Sequence, residues 1–428
     1  MTDPGNPSLS PPKPSLSVLS RVFYGWWILL LGSVIIAVGS GIFYHGFTIF
    51  FLPLKRDLAV SSAAISLLYG AARLEGGAEG PLVGYLIDRL GPRFMMIAGA
   101  ALAGVGLVLL SFVQSFWAFF FIYIFVISLG YNASFYHPVY ALVNSWFVRY
   151  RGFGFAITGV ASSAGGMLIT PLLGYLVYGY GWRTAAVCAG IFVLAVVIPS
   201  ALPTRRNPEL MGLLPDGKAA VDSPMQKGVH APELNFSVRE ALRTPDYWLL
   251  FFAIALRVLV TVALTIHFVP ILVWKGVEES ACAYLVSLFA FGTIPMTLLY
   301  GWMGDRWNKS FLSSIGILPL IVGLLVLIFS PPPLSIYALP VTLAVTMGTV
   351  PLNWALIGDL FGRMKYATLR GIVGIGNGVG TFLSPLYAGW MFDETGTYRS
   401  VLVTFAFCHA TALVLFGILF VRSRRKAA

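Results

Sequence analysis

The chain is a succession of apolar runs, each about as long as a helix must be to cross a lipid bilayer. That length is roughly 20 residues, and a run of this kind with few charges predicts a membrane-spanning helix. Only 11% of the 428 residues are charged, against about a quarter in soluble domains. The composition therefore excludes a soluble enzyme, a DNA-binding protein and a disordered regulator, and it predicts an all-α membrane protein.

Twelve spans are predicted, in two groups of six, and the one long polar stretch separates the groups. The predicted parts are a disordered tail at 1–22, a six-helix bundle at 23–202, a linker at 203–245, a second six-helix bundle at 246–421 and a basic tail at 422–428. The spans are placed at 24–53, 63–86, 94–113, 116–146, 152–178, 183–202, 246–274, 281–303, 310–329, 334–360, 371–392 and 398–421.

Basic residues predict the orientation. If both termini are cytoplasmic, 21 of the 28 lysines and arginines lie in cytoplasmic segments and 5 in outside loops. Positive charge accumulates on the cytoplasmic side of membrane proteins. We therefore expect cytoplasmic termini, a multi-pass protein of the inner or plasma membrane with the lipid bilayer as its partner, and no nucleic-acid partner despite the net charge of +11.

The two halves of the chain repeat each other. Asp88-Arg89, in the loop after span two, recurs as Asp305-Arg306 after span eight, 217 residues later. Arg151-Gly152 recurs as Arg370-Gly371, 219 residues later. A parallel repeat of six spans is typical of transporters that work by alternating access, in which two similar bundles rock around a site between them.

The loop after span two carries a pattern of glycines and charges that resembles the signature loop of the major facilitator superfamily. The pattern consists of Gly84, Asp88, Arg89, Gly91 and Arg93, with a weaker copy at Gly301, Asp305 and Arg306. We expect Asp88 to lie near the positive N-terminal end of a following helix and near arginines of adjacent loops. The resemblance implies a gate that such pairs hold shut. The alternative is that Arg89 and Arg93 only fix the topology.

Two further segments resemble the branch of monocarboxylate porters and oxalate/formate antiporters. They are Phe23-Tyr-Gly-Trp-Trp27 at the start of span one and Trp146-Phe-x-x-x-Arg151-Gly152 before span five, although the branch has a glycine at the position of Ala156. Members of the branch often carry a substrate arginine in span eight or a lysine in span eleven. Residues 284–300 and 371–390 contain neither. If the substrate is an anion, Arg257 or Arg73 must therefore take that role, and otherwise the substrate is neutral or cationic.

Charged residues inside spans cost on the order of 3 kcal/mol each, so they mark pathways or pairs. Arg257, in span seven, is predicted to anchor a substrate carboxylate, because a guanidinium presents a planar fork of donors to it. Arg73 is the other basic residue within a span. The alternative for Arg257 is an interhelical pair with Glu75 or Glu79.

Glu75 and Glu79 are four residues apart in span two and share a helical face. Two like charges on one buried face disfavour double ionisation, so the pair is a candidate for proton coupling. The alternative is a structural network in which Arg257, Arg73 or a loop arginine neutralises each acid. His267 is a further candidate proton carrier, since histidine titrates near neutral pH.

Polar side chains recur every four residues in span four, and such a stripe faces a cavity or a neighbouring helix rather than lipid. The predicted substrate contacts are Asn132, Tyr136 and Tyr140, followed by Asn144, with Asn353 as their counterpart in span ten. His137-Pro138 is expected to kink span four.

These observations predict a secondary transporter that moves a small organic anion, a monocarboxylate, with protons. It is expected to work as a monomer, without a cofactor, a metal or enzymatic activity. Two alternatives stay open. One is an exporter of hydrophobic or cationic compounds that are recognised by Glu75 and Glu79. The other is a membrane sensor that binds its ligand without transporting it.

Overall fold

The structure, a computed structural model, describes residues 23–58, 62–217 and 236–427. The predicted N-terminal tail and residues 218–235 of the predicted linker lie outside these residues. The helices of the first half are α1 (Tyr24–Gly39), α2 (Phe47–Asp57), α3 (Ser62–Leu90), α4 (Pro92–Leu110), α5 (Phe116–Ile122), α6 (Leu129–Ser134), α7 (Tyr136–Trp146), α8 (Arg151–Tyr180) and α9 (Trp182–Ala201). Those of the second half are α10 (Val238–Arg243), α11 (Pro245–Ile266), α12 (Phe268–Trp274), α13 (Glu279–Gly304), α14 (Lys309–Phe329), α15 (Leu334–Met347), α16 (Val350–Phe361), α17 (Tyr366–Thr395) and α18 (Arg399–Ala427).

Within the described residues, nine helical runs are long and apolar enough to cross a membrane. Large apolar side chains on their outer faces support the same conclusion, since Phe112, Phe291 and Phe407 are each more than 70% exposed. Exposed apolar area of this kind is unfavourable in water and favourable in lipid. The protein is a multi-pass membrane protein.

The predicted kink in span four is confirmed at Phe135, between α6 and α7. Pro138 has no N–H to donate, and its ring clashes with the carbonyl of the residue four positions earlier, Ser134. The run that precedes the kink also contains a π-helical segment at Tyr123–Ser128. After the break, the Tyr140 ring of α7 packs against Trp354 of the second half.

Each half packs its own helices, and the halves meet chiefly in two pairs of helices, with smaller contacts of α7 and α8 with α16 and of α7 with α17. In the first half α1 lies against α8 and α4 against α9, and in the second α14 lies against α18 and α11 against α17. Between the halves, α3 packs on α17 and α8 packs on α13. The repeat in the sequence is therefore visible as two equivalent contacts. Spans two and eleven form one of them, and spans eight and five form the other.

Glycines bring the joined helices together. A Cβ on Gly371 of α17 would lie 2.1 Å from the carbonyl oxygen of Gly80 on α3, and one on Gly84 would lie 2.2 Å from the carbonyl oxygen of Ala367. No side chain fits at such a separation, so these backbones touch only because α3 carries glycine at both contacts and α17 carries glycine at one of them. The close approach places the ends of the two halves within hydrogen-bonding distance of each other.

Candidate functional site

Aspartates of the two signature loops cap helices of the opposite half. The Asp88 carboxylate accepts hydrogen bonds from the backbone N–H of Thr368 (3.0 Å) and from its hydroxyl (2.6 Å). Thr368 lies in the first turn of α17, where N–H groups are unpaired and the helix dipole favours an anion. Asp88 therefore lies at the N-terminal end of a following helix, as predicted. It faces a helix 280 residues further on.

Asp305 makes the equivalent contact in the other direction. Its carboxylate accepts hydrogen bonds from the backbone N–H groups of Gly152 (2.7 Å) and Phe153 (3.0 Å) at the start of α8. Burial raises the pKa of Asp305 to about 6, although these donors and the charge of Lys309 lower it. The carboxylate is therefore largely ionised at neutral pH and is held by the first turn of a helix in the other half.

The remaining residues of the signature loops have supporting positions. Gly91 adopts φ +92° in the turn between α3 and α4, a conformation that favours glycine. Arg89 is exposed and approaches the Tyr85 hydroxyl at 3.4 Å, while Arg93 is half-buried. Arg306 lies over the ring of Trp302 at 3.9 Å. The arginine that reaches Asp88 is Arg206, which donates to its backbone carbonyl rather than to its carboxylate.

A salt bridge that the sequence did not indicate also joins the halves. Arg151, 4% exposed at its side chain, pairs with Asp359 of α16 at 2.5 Å, and Lys309 reaches the other oxygen of Asp359 at 2.7 Å. Arg363 of the second half donates to the backbone carbonyl of Ser145 at 2.9 Å. These contacts, with those of the two aspartates, hold together the ends that the basic residues predict to be cytoplasmic.

The second arginine of the repeat, Arg370, has a different environment. It lies in α17, one turn from the start of the helix, and is 7% exposed. Its guanidinium carbon lies 4.4 Å from the ring centre of Tyr140 on α7 and 4.5 Å from that of Trp354 on α16. A guanidinium nitrogen donates to Nδ1 of His137 over 2.8 Å. Arg370 thus contacts both halves at their boundary.

No carboxylate neutralises Arg370 among the residues that the structure describes. Its Nε is buried and makes no hydrogen bond. Removing a cation from water costs several kcal/mol, and each aromatic ring returns only about 0.5–2 kcal/mol. Arg151, at the corresponding position of the first half, has Asp359 as its counter-ion. The site around Arg370 therefore lacks one negative charge.

The polar stripe of span four lies beside this arginine. Tyr140 lies under the guanidinium, and the Tyr136 hydroxyl shares a hydrogen bond of 2.9 Å with Ser162 of α8. Ser162 in turn donates to the Ser40 hydroxyl over 2.9 Å. Asn353 is 2% exposed on α16, and its Oδ1 has no partner among the described residues. Asn132 lies apart from this group, beside Glu79.

Arg257 does not form the predicted alternative pair with Glu75 or Glu79. It is 1% exposed and donates to the backbone carbonyl of Thr346 over 2.7 Å. Its nearest polar neighbours, Tyr300 and His409, also belong to the second half. The structure therefore places Arg257 inside one half rather than between the two.

The acids of span two face the first half. Glu75 accepts a hydrogen bond from the Ser128 hydroxyl over 2.7 Å. Glu79 lies beside Glu75, and neither of its oxygens makes a hydrogen bond of normal geometry within the described part of the chain. The predicted pair on one face is thus present, without Arg257. The Arg73 side chain lies outside the described residues.

His267 lies within the second half. Its Nδ1 shares a hydrogen bond of 3.0 Å with the Tyr398 hydroxyl, and its Nε2 lies 3.1 Å from the carbonyl oxygen of Pro385. Both nitrogens therefore have partners. Its predicted role as a proton carrier stays a prediction.

Comparisons with known proteins define the class. A family model described as Major Facilitator Superfamily matches residues 29–277 and 268–428, and the chain belongs to that family of membrane transporters. The fold is that of the fucose:proton symporter FucP of E. coli, with a TM-score of 0.68, 15% identity, and coverage of 92% of this chain and 98% of that one.

Among curated proteins, the chain is 26% identical to monocarboxylate transporter 12-B of Danio rerio, over 93% of this chain and 88% of the relative. It is 24% identical to the uncharacterized MFS-type transporter YcxA of Bacillus subtilis, over 87% and 90%. A riboflavin transporter of Trypanosoma brucei brucei, RibJ, is 33% identical over 43% of this chain and 34% of its own length. The protein is a transporter, not an enzyme.

Proposed function

We propose that this protein is a secondary transporter that moves a small organic anion, a monocarboxylate, together with protons by alternating access. The observation that carries the proposal is Arg370, a buried guanidinium at the boundary of the halves that has no counter-ion among the described residues. A bound carboxylate supplies the missing charge and accepts two parallel N–H donors. The relatives named monocarboxylate transporter 12 and 13 support the same substrate class.

Arg370 replaces Arg257 as the proposed anchor. A substrate that crosses by alternating access binds between the two moving halves, and Arg370 contacts side chains of both. Arg257 contacts the second half alone. The hydroxyl groups of Tyr136 and Tyr140 and the amide of Asn353 are proposed as further contacts for the substrate.

The proposed transporter has twelve spans and cytoplasmic termini. The three further spans are proposed to be the long helices α3, α13 and α17, and the described run 288–304 of α13 is itself apolar. They are the helices that join the halves, so their polar residues and glycines face protein instead of lipid. The contacts of Asp88 and Asp305 are proposed to close the cytoplasmic gate in the present conformation.

Counterflow in proteoliposomes tests the proposal. Vesicles preloaded with an unlabelled monocarboxylate such as lactate should accumulate the labelled compound, and a neutral amide of the same shape should not compete. Uptake of hydrophobic cations instead of carboxylates would favour the alternative exporter, in which Glu75 and Glu79 recognise the substrate. Binding of lactate without counterflow would identify a sensor.

A further inference from the structure

We infer that His137 is the group that binds a proton when the anion binds at Arg370, so that one site takes up both. The inference rests on the proposed function and names the residue that couples proton to substrate. Its starting point is the hydrogen bond of 2.8 Å between a guanidinium nitrogen of Arg370 and Nδ1 of His137.

The direction of this hydrogen bond is fixed by chemistry. A guanidinium only donates and is charged at any physiological pH, so Nδ1 of His137 must be the acceptor and carries no proton. His137 is 8% exposed, so little water reaches the pair. A proton added at Nδ1 would break the hydrogen bond and place two cations side by side in a medium of low dielectric constant. Without substrate, His137 is therefore held neutral.

The other groups around His137 do not offset this repulsion. Within the described residues, Arg370 is the one charged group that acts on the imidazole. The helices packed on α7 are α1, α3, α4, α6, α8, α16 and α17. Their charged and titratable groups, with those of α7 itself, are Tyr24 on α1, Glu75, Glu79, Tyr85, Asp88 and Arg89 on α3, Arg93 on α4, Tyr131 on α6, Tyr136 and Tyr140 on α7, Arg151, Tyr175, Tyr178 and Tyr180 on α8, Asp359 on α16, and Tyr366, Arg370, Tyr387, Asp393 and Glu394 on α17, with Asp216 in the described part of the predicted linker.

The carboxylates in that set have other partners or positions. Asp359 is paired with Arg151, Asp88 with Thr368, and Glu75 with Ser128. Glu79 lies beside Glu75 and Asn132. Asp216 accepts from backbone N–H groups at Arg149 and its neighbours, and Asp393 and Glu394 are exposed near the far end of α17. None of them serves as the counter-ion of His137.

A bound carboxylate changes the hydrogen bonds and the charges of Arg370 and His137. It accepts hydrogen bonds from the guanidinium N–H groups of Arg370, so that Nδ1 of His137 is no longer occupied and can bind a proton. The resulting Nδ1–H then donates a hydrogen bond to the second carboxylate oxygen. The site then gains one anion and one proton, so its net charge is the same loaded as empty. Protonation is favoured by the anion, and by linkage the anion is favoured to the same extent by protonation.

The experiment measures protons taken up per anion bound. Titration calorimetry of the purified full-length protein with lactate, in phosphate and in Tris buffer, gives that number, because the two buffers release different heats of ionisation. Above neutral pH we expect close to one proton per lactate for the wild type, and about a tenfold weaker Kd for each further pH unit. His137→Gln should still bind lactate, with uptake near zero and a Kd independent of pH.

His409→Gln is the matched control, since His409 is a fully buried histidine whose nitrogens have no partner among the described residues. It should take up the same proton as the wild type. Unchanged proton uptake in His137→Gln would overturn the inference, and so would a wild-type Kd that is constant from pH 6 to pH 8, a result that requires no variant to fold. Lactate binding without proton uptake overturns only the coupling at His137, whereas failure of the wild type to bind any monocarboxylate overturns the proposed function itself.

Discussion

Arg370 donates a hydrogen bond to His137 across the boundary between the two halves of the protein, over 2.8 Å. Its counterpart in the repeat, Arg151, instead pairs with the carboxylate of Asp359. The two arginines occupy corresponding positions at the starts of α17 and α8. One contact is a completed ion pair, and the other is a cation beside a neutral base. Because of this difference, we assign Arg151 a structural role in joining the halves and propose Arg370 as the site that binds an anion.

Loss of the Asp88 charge should open the end of the molecule that carries the signature loops. Asp88→Asn loses the attraction to the first turn of α17 and weakens two hydrogen bonds, each of which is worth about 1.5–3 kcal/mol when its acceptor is charged. The closed population should fall about tenfold or more. Spin labels on cysteines at the exposed positions Leu90 and Met364, in a background without native cysteines, report the separation of the halves.

Asp393→Asn is the control for that variant, because Asp393 is an exposed aspartate at the far end of α17. It should leave the distance distribution unchanged. An unaltered distribution in Asp88→Asn would show that the glycine contacts alone hold the helices together.

Closure should also depend on pH through Asp305. Its pKa is raised to about 6 in the closed contact, whereas in an open gate the exposed carboxyl has its ordinary value of 3.8. The closed state therefore binds the proton more tightly. Its stabilisation by Asp305 is complete below about pH 4 and is lost as the pH rises through about 6.

The same spin-label pair measures this dependence. The closed fraction of the wild type should fall between about pH 4 and pH 6, and in Asp305→Asn this component should disappear. A closed fraction that rises with pH in the wild type would contradict the assignment of the raised pKa to the closed contact.

Much of the fold could be predicted because the bilayer constrains the sequence so strongly. Apolar runs of about 20 residues predict helices, and the kink before Pro138 follows from the chemistry of proline. The partner of Asp88 could not be predicted. Its contact with Thr368 joins positions 280 residues apart, and no local pattern specifies which helix of the other half an aspartate will meet.

The candidate site shows even more clearly what could not be predicted from the sequence. The sequence placed Arg370 in a loop, because span eleven was predicted to begin at Gly371, whereas α17 begins at Tyr366. The predicted start of span eleven therefore excluded Arg370 by one position, although α17 contains this arginine. A signal was available, since Arg151 and Arg370 were recognised as a repeated pair. Which of them has an acidic partner depends on the packing of α16 and α7, which periodicity does not show.

Glycine at position 371 should be essential for the contact between α3 and α17. A Cβ there would lie 2.1 Å from the carbonyl oxygen of Gly80, so Gly371→Ala must push the backbones apart. Gly374→Ala, in the same helix, has nothing within 4 Å of the added atom and serves as the control. We expect counterflow to be lost in Gly371→Ala and retained in Gly374→Ala. Full activity of both variants would contradict the tight contact.

Glu79→Gln should leave transport coupled to protons. Among the described residues, Glu79 has no hydrogen bond of normal geometry, and Glu75 is an acid beside it. A neutral amide of the same shape removes the repulsion between the two, so thermal stability should be equal or higher. Accumulation driven by a pH gradient should persist. If accumulation disappears while exchange survives, Glu79 is the proton carrier and His137 is not.

The affinity of arginine variants for lactate tests the central claim most directly. Arg370→Met keeps the length of the side chain and removes the charge, so the loss of a charge-assisted pair of about 1.5–3 kcal/mol should weaken Kd at least tenfold. Arg370→Lys should recover little, because a point charge does not reproduce the planar fork. Arg399→Met, at an exposed arginine in the first turn of α18, should bind as the wild type does. The account predicts that Arg257→Met retains lactate binding within about twofold. Loss of binding in Arg257→Met with retention in Arg370→Met would contradict it and return the anion to the interior of the second half.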